Sequence, residues 1–370
     1  MLTQSILLVF ALMGIAALVV DMGYVRLSQV QMQSGVDTAA LEGLRQRDAL
    51  GNAGRRQAAV LMVTGAYTDP AGERLVGAGP ELTLTGGVTE ANGSQLLSVS
   101  ADPVYRPQLA ENLANVVHGD MVSGTFGAGV TGMETGAYTR DDFAPAAGGT
   151  APAFLVRMRR TDGRNALDAP DGATVSTGRS LPLLFGLATT LQRAPGSDYS
   201  VRFDGITVRA TAIADGRPAR RISNTLTAPF ALNRDFWVAM PDGAPVVLDV
   251  DPAGVLRSGL VVAGLYTAGL TSRIGEPIAA SGIAGGGGTG PLYVPVYADI
   301  AGTSRVIGFG YMTAAGGGGG LLLARARNRV AEAGASIHVA EGFAGVPDLA
   351  LLLAANSTLD GALLAPALVR

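Results

Sequence analysis

The sequence predicts an α+β protein: a long N-terminal transmembrane and stalk helix, then a mainly antiparallel β region, with a short C-terminal helix near the end. Three observations carry that expectation. No side chain from Met1 to Val20 is charged, and Ile6 to Val20 is an unbroken apolar run. No proline precedes Pro70, so helical order can continue well past the run. From about residue 150, apolar residues alternate with polar ones between turn-forming glycines, prolines and Asp-Gly pairs.

At 1.5 Å per residue, about twenty helical residues reach ~30 Å, the thickness of a bilayer's hydrocarbon core. Ten of the fifteen residues from Ile6 to Val20 are Leu, Ile, Val or Phe. Each favours insertion by roughly 0.3 to 0.6 kcal/mol, so the sum outweighs Thr3, Gln4 and Ser5 near the end. Ile6, Leu7, Leu8, Val9, Phe10, Leu12, Ile15, Leu18, Val19 and Val20 are therefore the residues expected to contact lipid. A secretory signal is the rival reading, but no A-x-A-like site follows, the chain continuing Val19-Val20-Asp21-Met22-Gly23-Tyr24. Beyond Val20 the helix turns polar, and Leu27, Val30, Ser34, Asp37, Leu41 and Leu44 recur at alternating steps of three and four. That spacing predicts a single buried stripe. Gly35 and Gly43 each cost the helix about 1 kcal/mol relative to alanine, and mark places of close packing.

The apolar run followed by Asp21-Met-Gly-Tyr24, Arg26-Leu27 and Gln33-Ser-Gly-Val-Asp37-Thr-Ala-Ala-Leu41 resembles the N-terminal segment of TadE/TadG-like proteins of the Tad (Flp) pilus assembly system. The resemblance covers about residues 5–45 and gives Asp21, Tyr24, Gln33, Asp37, Ala39, Ala40 and Leu41 as signature positions. It implies a membrane helix with the remainder extracytoplasmic, a place in the bacterial cytoplasmic membrane or a surface filament, and lipid and other pilus subunits, self included, as partners. Ser5 stands where processed pilin-like relatives carry glycine, and no acid precedes Asp21. The chain then either starts inside a longer precursor or is a mature or uncleaved form. If the stripe is buried, the Asp37 carboxylate needs a donor, an arginine or backbone amides of the head or of a neighbouring subunit. Asp21 and Tyr24 are expected at the membrane–water boundary.

Composition narrows the chemistry. A net charge of −3 gives no reason to expect nucleic acid, and the absence of cysteine removes disulfides, thiol nucleophiles and cysteine metal sites. All 27 basic residues are arginine, which excludes Schiff bases, the Walker A lysine and lysine isopeptide cross-links.

Three regions are expected: residues 1–66 as anchor and stalk, 67–150 as a small mixed region ending in a glycine-rich linker, and 151–370 as the head. Leu82 and Leu84 suggest short strands over 80–100 with a turn at Asn92-Gly93, and Leu109, Leu113 and Val116 suggest a helix over 107–117. Phe154, Val156 and Met158 alternate as in a half-buried strand, and Asp204-Gly205 suits a hairpin between Phe203 and Ile206. Further strands are expected over 236–240, 246–250, 256–265, 292–300 and 305–313, with Pro295 placing its strand at an edge. Residues 321–330 suit strand or helix, and Val346-Pro347-Asp348 opens a helix with Leu349, Leu352, Leu353 and Leu359 on its apolar face.

No catalytic, cofactor or metal motif emerges. His118 and His338 lack H-E-x-x-H context, no G-x-S-x-G elbow occurs, and Asp249-Val-Asp251 lacks the serines of a von Willebrand A metal site. The arginines at 325, 327 and 329 would share one face of a strand, where intramolecular carboxylate pairs are the better reading than an acidic partner. The expected function is structural: pilus assembly or a minor pilin-like role, without catalysis or cofactor. A main filament subunit and a membrane-tethered hydrolase or carbohydrate-binding module remain the alternatives.

Overall fold

The computed structural model describes residues 2–67, 109–127, 143–146, 151–160, 176, 181, 206–223, 228, 230–249, 263–265, 272–278, 291–315, 320–330, 336–338 and 346–369. The chain divides into two units: unit 1 is Met1–Asp215 with Leu368–Arg370, and unit 2 is Gly216–Ala367. The strands expected over 80–100 and the Asp204-Gly205 turn lie outside the described residues.

Unit 1 begins with α1 (Leu2–Arg45) and α2 (Arg47–Tyr67). Helical order persists through the proline-free stretch but breaks at Gly51, whose φ of 68° lies in the left-handed region that glycine enters without a Cβ penalty. Past that kink α2 packs against α1 and buries Arg55, Arg56, Ala59 and Val63 at helical spacing. The sheet of unit 1 contains β1 (Met121–Phe126), β2 (Phe143–Pro145), β3 (Ala153–Arg160) and β4 (Val208–Pro218), all paired antiparallel.

β3 was expected to be half-buried, yet seven of its eight residues are buried. Leu155 joins Val122 and Ile213 on one face, with Phe126 and Phe143 packed beside them. Phe154 packs against α1 on the other: a Cβ built on Gly43 would overlap its ring, so close packing is what Gly43 permits. The glycine-rich stretch after Gly124 is not linker throughout, since it contributes the end of β1 and all of β2.

The helix expected over 107–117 is absent from its described part, which forms turns. Asn112 and Asn115 both adopt positive φ, 49° and 55°. The Asn112 amide donates to the carbonyls of Val116 (2.9 Å) and Met121 (2.7 Å), while its Oδ1 accepts from the Val116 amide at 3.0 Å. These local side-chain bonds compete with helical ones and prevail.

Unit 2 contains β5 (Arg221–Ser223), β6 (Phe230–Asn233), α3 (Arg234–Ala239), β7 (Pro245–Asp249), β8 (Ala263–Leu265), β9 (Ser272–Arg273), β10 (Pro291–Ile300), β11 (Thr303–Ala315), β12 (Gly320–Ala326), β13 (Ser336–His338) and α4 (Leu349–Ser357). β14 (Leu364–Val369) closes the chain beside β4, giving the order β14-β4-β3-β1-β2. A six-stranded sheet runs β7-β12-β11-β10-β6-β8, and a three-stranded one β13-β5-β9. Residues 321–326, undecided by periodicity, are strand. β10 and β11 are joined by a tight turn at Ala301 and Gly302, both at positive φ.

Two expectations are corrected here. Residues 236–240 are not a strand, because Asn233 caps a helix by accepting from the Asp235 amide at 2.8 Å and so starts α3. Nor does Pro295 mark an edge: β10 lies between β11 and β6. Its β6 pairing is confined to Val296 and Tyr297, and a bulge separates those two residues, so the missing N–H of Pro295 falls outside that paired stretch. The C-terminal helix starts at Leu349, burying Leu352, and the Asn356 amide fixes it by donating to Ala219 and Ile307 carbonyls.

Candidate functional site

Among the described residues, none covers the side chains that carry the membrane expectation. Ile6, Leu7, Leu8, Val9, Phe10, Leu12, Ile15, Leu18, Val19 and Val20 are between 46% and 68% exposed. By length and composition the helix from Thr3 to Arg45 can cross a membrane.

Past Val20 one face becomes buried, with a phase different from the expected stripe. Leu27 and Val30 are 52% and 53% exposed and Ser34 is exposed, whereas Asp21, Tyr24, Ser28, Met32 and Val36 are buried. Docking uses small and polar side chains because the sheet approaches closely, as the Gly43–Phe154 contact requires. Asp21 and Tyr24 thus face protein. Asp37, Ala39, Ala40 and Leu44 are buried and Leu41 is half-buried.

Gln33 and Asp37 meet one helical turn apart. The Gln33 side-chain amide donates to Asp37 Oδ1 at 2.8 Å and to the Thr211 carbonyl of β4 at 3.0 Å. One amide thereby supplies a donor to the buried carboxylate and ties α1 to the sheet, a role sequence reasoning gave to an arginine or backbone amides. Gln33→Ala is expected to lower the stability of unit 1 by about 1–3 kcal/mol, because it removes a donor from a buried carboxylate. Urea unfolding followed by far-UV circular dichroism measures it.

Beside this junction lie groups that the sequence reading missed. Arg55 and Arg56 are fully buried, their guanidinium carbons 5.0 and 5.8 Å from the Phe154 ring centre. Arg55 donates to Asn52 Oδ1 and Ser123 Oγ. Arg56 donates to the Glu111 carbonyl (2.7 Å), the Met121 carbonyl, Asn115 Oδ1 (2.9 Å) and Ser123 Oγ (3.1 Å). Burial draws both guanidinium groups down to about 10, with Arg56 adding to the effect on Arg55, so both stay charged at neutral pH. Their signal in the sequence was adjacent arginines three and four residues after Asn52 on a helix, but apart from Asn52 their partners are more than fifty residues away.

Asp120 is fully buried, and its Oδ2 accepts from the Ala110 amide (3.0 Å) and Ser176 Oγ (2.6 Å). Burial raises its carboxyl from 3.8 to about 6 despite those bonds and the nearby Arg159 charge. The folded chain therefore holds this proton more tightly than the unfolded one. The resulting stability is complete below about pH 4 and is lost as pH rises through about 6, on the order of 3 kcal/mol in all. Asp120→Asn should abolish that dependence. The difference in unfolding free energy between the two proteins, measured from pH 4 to 7.5, is expected to change in favour of the variant as pH rises.

Among the described residues no group of three or more His, Cys, Asp or Glu could hold a metal ion. His118 is exposed. The arginines expected to share one face of a strand do not: β12 ends at Ala326, so only Arg325 is on it, and all three are engaged within the chain, Arg325 and Arg327 reaching Asp242, Arg327 reaching Asp360 at 2.8 Å, and Arg329 lying over Tyr311. Asp251 lies outside the described residues.

Comparison with known proteins places one stretch. Residues 5–48 match the family described as Putative Flp pilus-assembly TadE/G-like. No curated protein and no solved structure matches the chain. The uncovered apolar run, the Gln33–Asp37 pair and the small-residue docking face all fall inside that match, so the N-terminal segment of this chain is TadE/G-like in sequence, and the likeness ends at residue 48, just before the Gly51 kink.

Proposed function

We propose that this chain is a membrane-anchored Tad/Flp pilus-assembly or minor pilin-like structural protein of the bacterial cytoplasmic membrane. α1 anchors it, and the regions after the helix are held on the extracytoplasmic side for contact with other pilus subunits. The observation that carries this reading is the change of environment along one helix: apolar and uncovered through Val20, then docked on a sheet through Asp21, Tyr24 and the Gln33–Asp37 pair. A stretch of uncovered apolar side chains of this length is stable only against lipid or other apolar helices. The role is structural, by anchoring and presentation, with no catalytic step.

The test removes residues 2–20 and follows the protein and the fibres. The full chain is expected to resist carbonate extraction from membranes, and the truncated chain to become soluble and to abolish fibre production. Recovery of the full chain mainly in the sheared-filament fraction would favour a main filament subunit instead. Normal fibres from the truncated chain would sink the proposal.

A further inference from the structure

Three contacts along α1 show which end of the unit 1 sheet lies nearest the apolar run. Gly43 meets Phe154, Gln33 meets Thr211, which pairs with Arg157, and Tyr24 lies close enough to Arg160 for the arginine charge to act on its hydroxyl. β3 therefore runs down α1 toward Val20. On a 1.5 Å rise Tyr24 stands ~6 Å beyond Val20, and the headgroup layer of a bilayer is about 5–8 Å thick on each side. An α1 that spans the membrane thus holds the Arg160 end of the sheet at the phospholipid headgroups.

That end presents alkyl and guanidinium surface together. β1 is antiparallel to β3, so the turn before β1 also lies toward Arg160. Its Leu113, Ala114, Val116 and Val117 are exposed, yet its backbone is fixed. The Asn112 amide donates to the Met121 carbonyl, the Asn115 amide to the carbonyls of Ser123 and Ala146, Arg157 to the Val117 carbonyl at 2.6 Å and Arg159 to the His118 carbonyl at 2.7 Å. An apolar tip held in this way enters an apolar medium with little cost of ordering. Beside it, Arg159 and Arg209 stand directly opposite one another across β3 and β4, and Arg209 is exposed. Like charges so placed repel, and an anion over the pair relieves the repulsion. The acids beside this end, Asp21 on α1 and Asp120 before β1, are both buried.

We infer that the Leu113–Val117 turn and the Arg159–Arg209 pair form a second membrane contact: the apolar side chains enter the headgroup boundary and the arginines bind the phosphates of anionic phospholipids. Alkyl side chains beside guanidinium groups suit that boundary, where arginine pairs with phosphate oxygens while the apolar tip leaves water. A lipid occupant needs no separate encounter, because the anchor already holds this surface at the leaflet. The inference rests on the anchored reading proposed above and adds the lipid class and the contact residues.

The native chain has no cysteine, so a single cysteine takes one environment-sensitive nitrobenzoxadiazole label. Val117→Cys and Leu113→Cys place it on the turn, and Thr125→Cys at an exposed position toward the far end of β1. The full chains are reconstituted into vesicles of phosphatidylcholine with phosphatidylglycerol, or of phosphatidylcholine alone, each containing a doxyl-labelled phospholipid as quencher. With phosphatidylglycerol present, the labels at 113 and 117 are expected to be quenched and the label at 125 to be spared. Arg209→Glu, with far-UV circular dichroism unchanged, is expected to lower the docked-to-undocked ratio by about fivefold or more, the factor that one arginine near an anionic surface supplies. Equal quenching with and without phosphatidylglycerol overturns the inference. Quenching at 113 and 117 no greater than at 125, in protein that remains in the vesicles, also overturns it, leaves the anchor intact and assigns the turn to a protein partner. Failure of the chain to enter the vesicles overturns both readings.

Discussion

Phe154→Ala is expected to destabilise unit 1 by about 3–5 kcal/mol, the range for deleting a fully buried aromatic side chain. Its ring is wedged between α1 and α2: Gly43 provides the room on one side, and Arg55 and Arg56 lie over it on the other. The ring supplies apolar contact and the negative face that two buried guanidinium groups lie against, each contact contributing about 0.5–2 kcal/mol. Arg55 and Arg56 form no ion pair among the described residues, so the aromatic face and neutral oxygens, together with the nearby charges of Asp48 for Arg55 and Glu111 for Arg56, offset their burial. Phe154→Leu keeps most of the volume and loses the π face, and is expected to cost about half as much. Urea unfolding of the full chain in detergent, followed by far-UV circular dichroism, checks both. A loss under about 1 kcal/mol for the alanine variant would mean that the helices hold to the sheet without the ring.

The parts of unit 1 that could be read from sequence are those whose cause is local. The apolar run declares its length; Gln33 and Asp37 stand one turn apart, a spacing that permits the pairing in the structure, although the sequence reading looked to an arginine or backbone amides for the Asp37 donor. The phase of the docking face could not be read that way. Leu27 and Val30 look like core residues because hydrophobicity records avoidance of water, whether the cover comes from the same chain, from lipid or from another molecule. The face that docks is instead marked by Ser28, Gly35, Ala39 and Gly43, whose small size matters only once a sheet lies against them. The arginine pair was out of reach for the same reason. Its acceptors, Glu111, Asn115, Met121 and Ser123, sit in a turn and strand that composition did not connect to α2. Asn112 and Asn115 were more legible than the reading allowed: two asparagines three apart favour left-handed turns over a helix, whatever the spacing of the leucines between and around them.

Trp237→Ala is expected to cost unit 2 about 3–5 kcal/mol, for reasons that also explain why its segment is helical. The Asn233 cap starts α3, and that single turn and a half turns Trp237 into the core, where it is fully buried. The indole lies against Gly310 of β11, at a spot that a Cβ would fill, and its Nε1 donates to the Asp360 carbonyl at 2.8 Å. The buried Arg325 guanidinium stands 5.2 Å from the ring centre and donates to the Trp237 carbonyl and to Asp242. Truncation to alanine therefore opens a cavity, leaves the Asp360 carbonyl without that donor and strips the aromatic face from a buried cation. Gly310 provides a sharper measurement. In the native chain Gly310→Ala forces the indole to move and should destabilise by about 1–3 kcal/mol, whereas in the Trp237→Ala background the added methyl enters empty space and should cost little. The double-mutant cycle is thus expected to give a coupling energy above about 1 kcal/mol. Because Trp237 is the sole tryptophan of the chain, its emission reports unfolding of unit 2 in every protein of the cycle that retains it, with far-UV circular dichroism for the rest. Additive costs would mean that the indole and the Gly310 backbone do not press on one another.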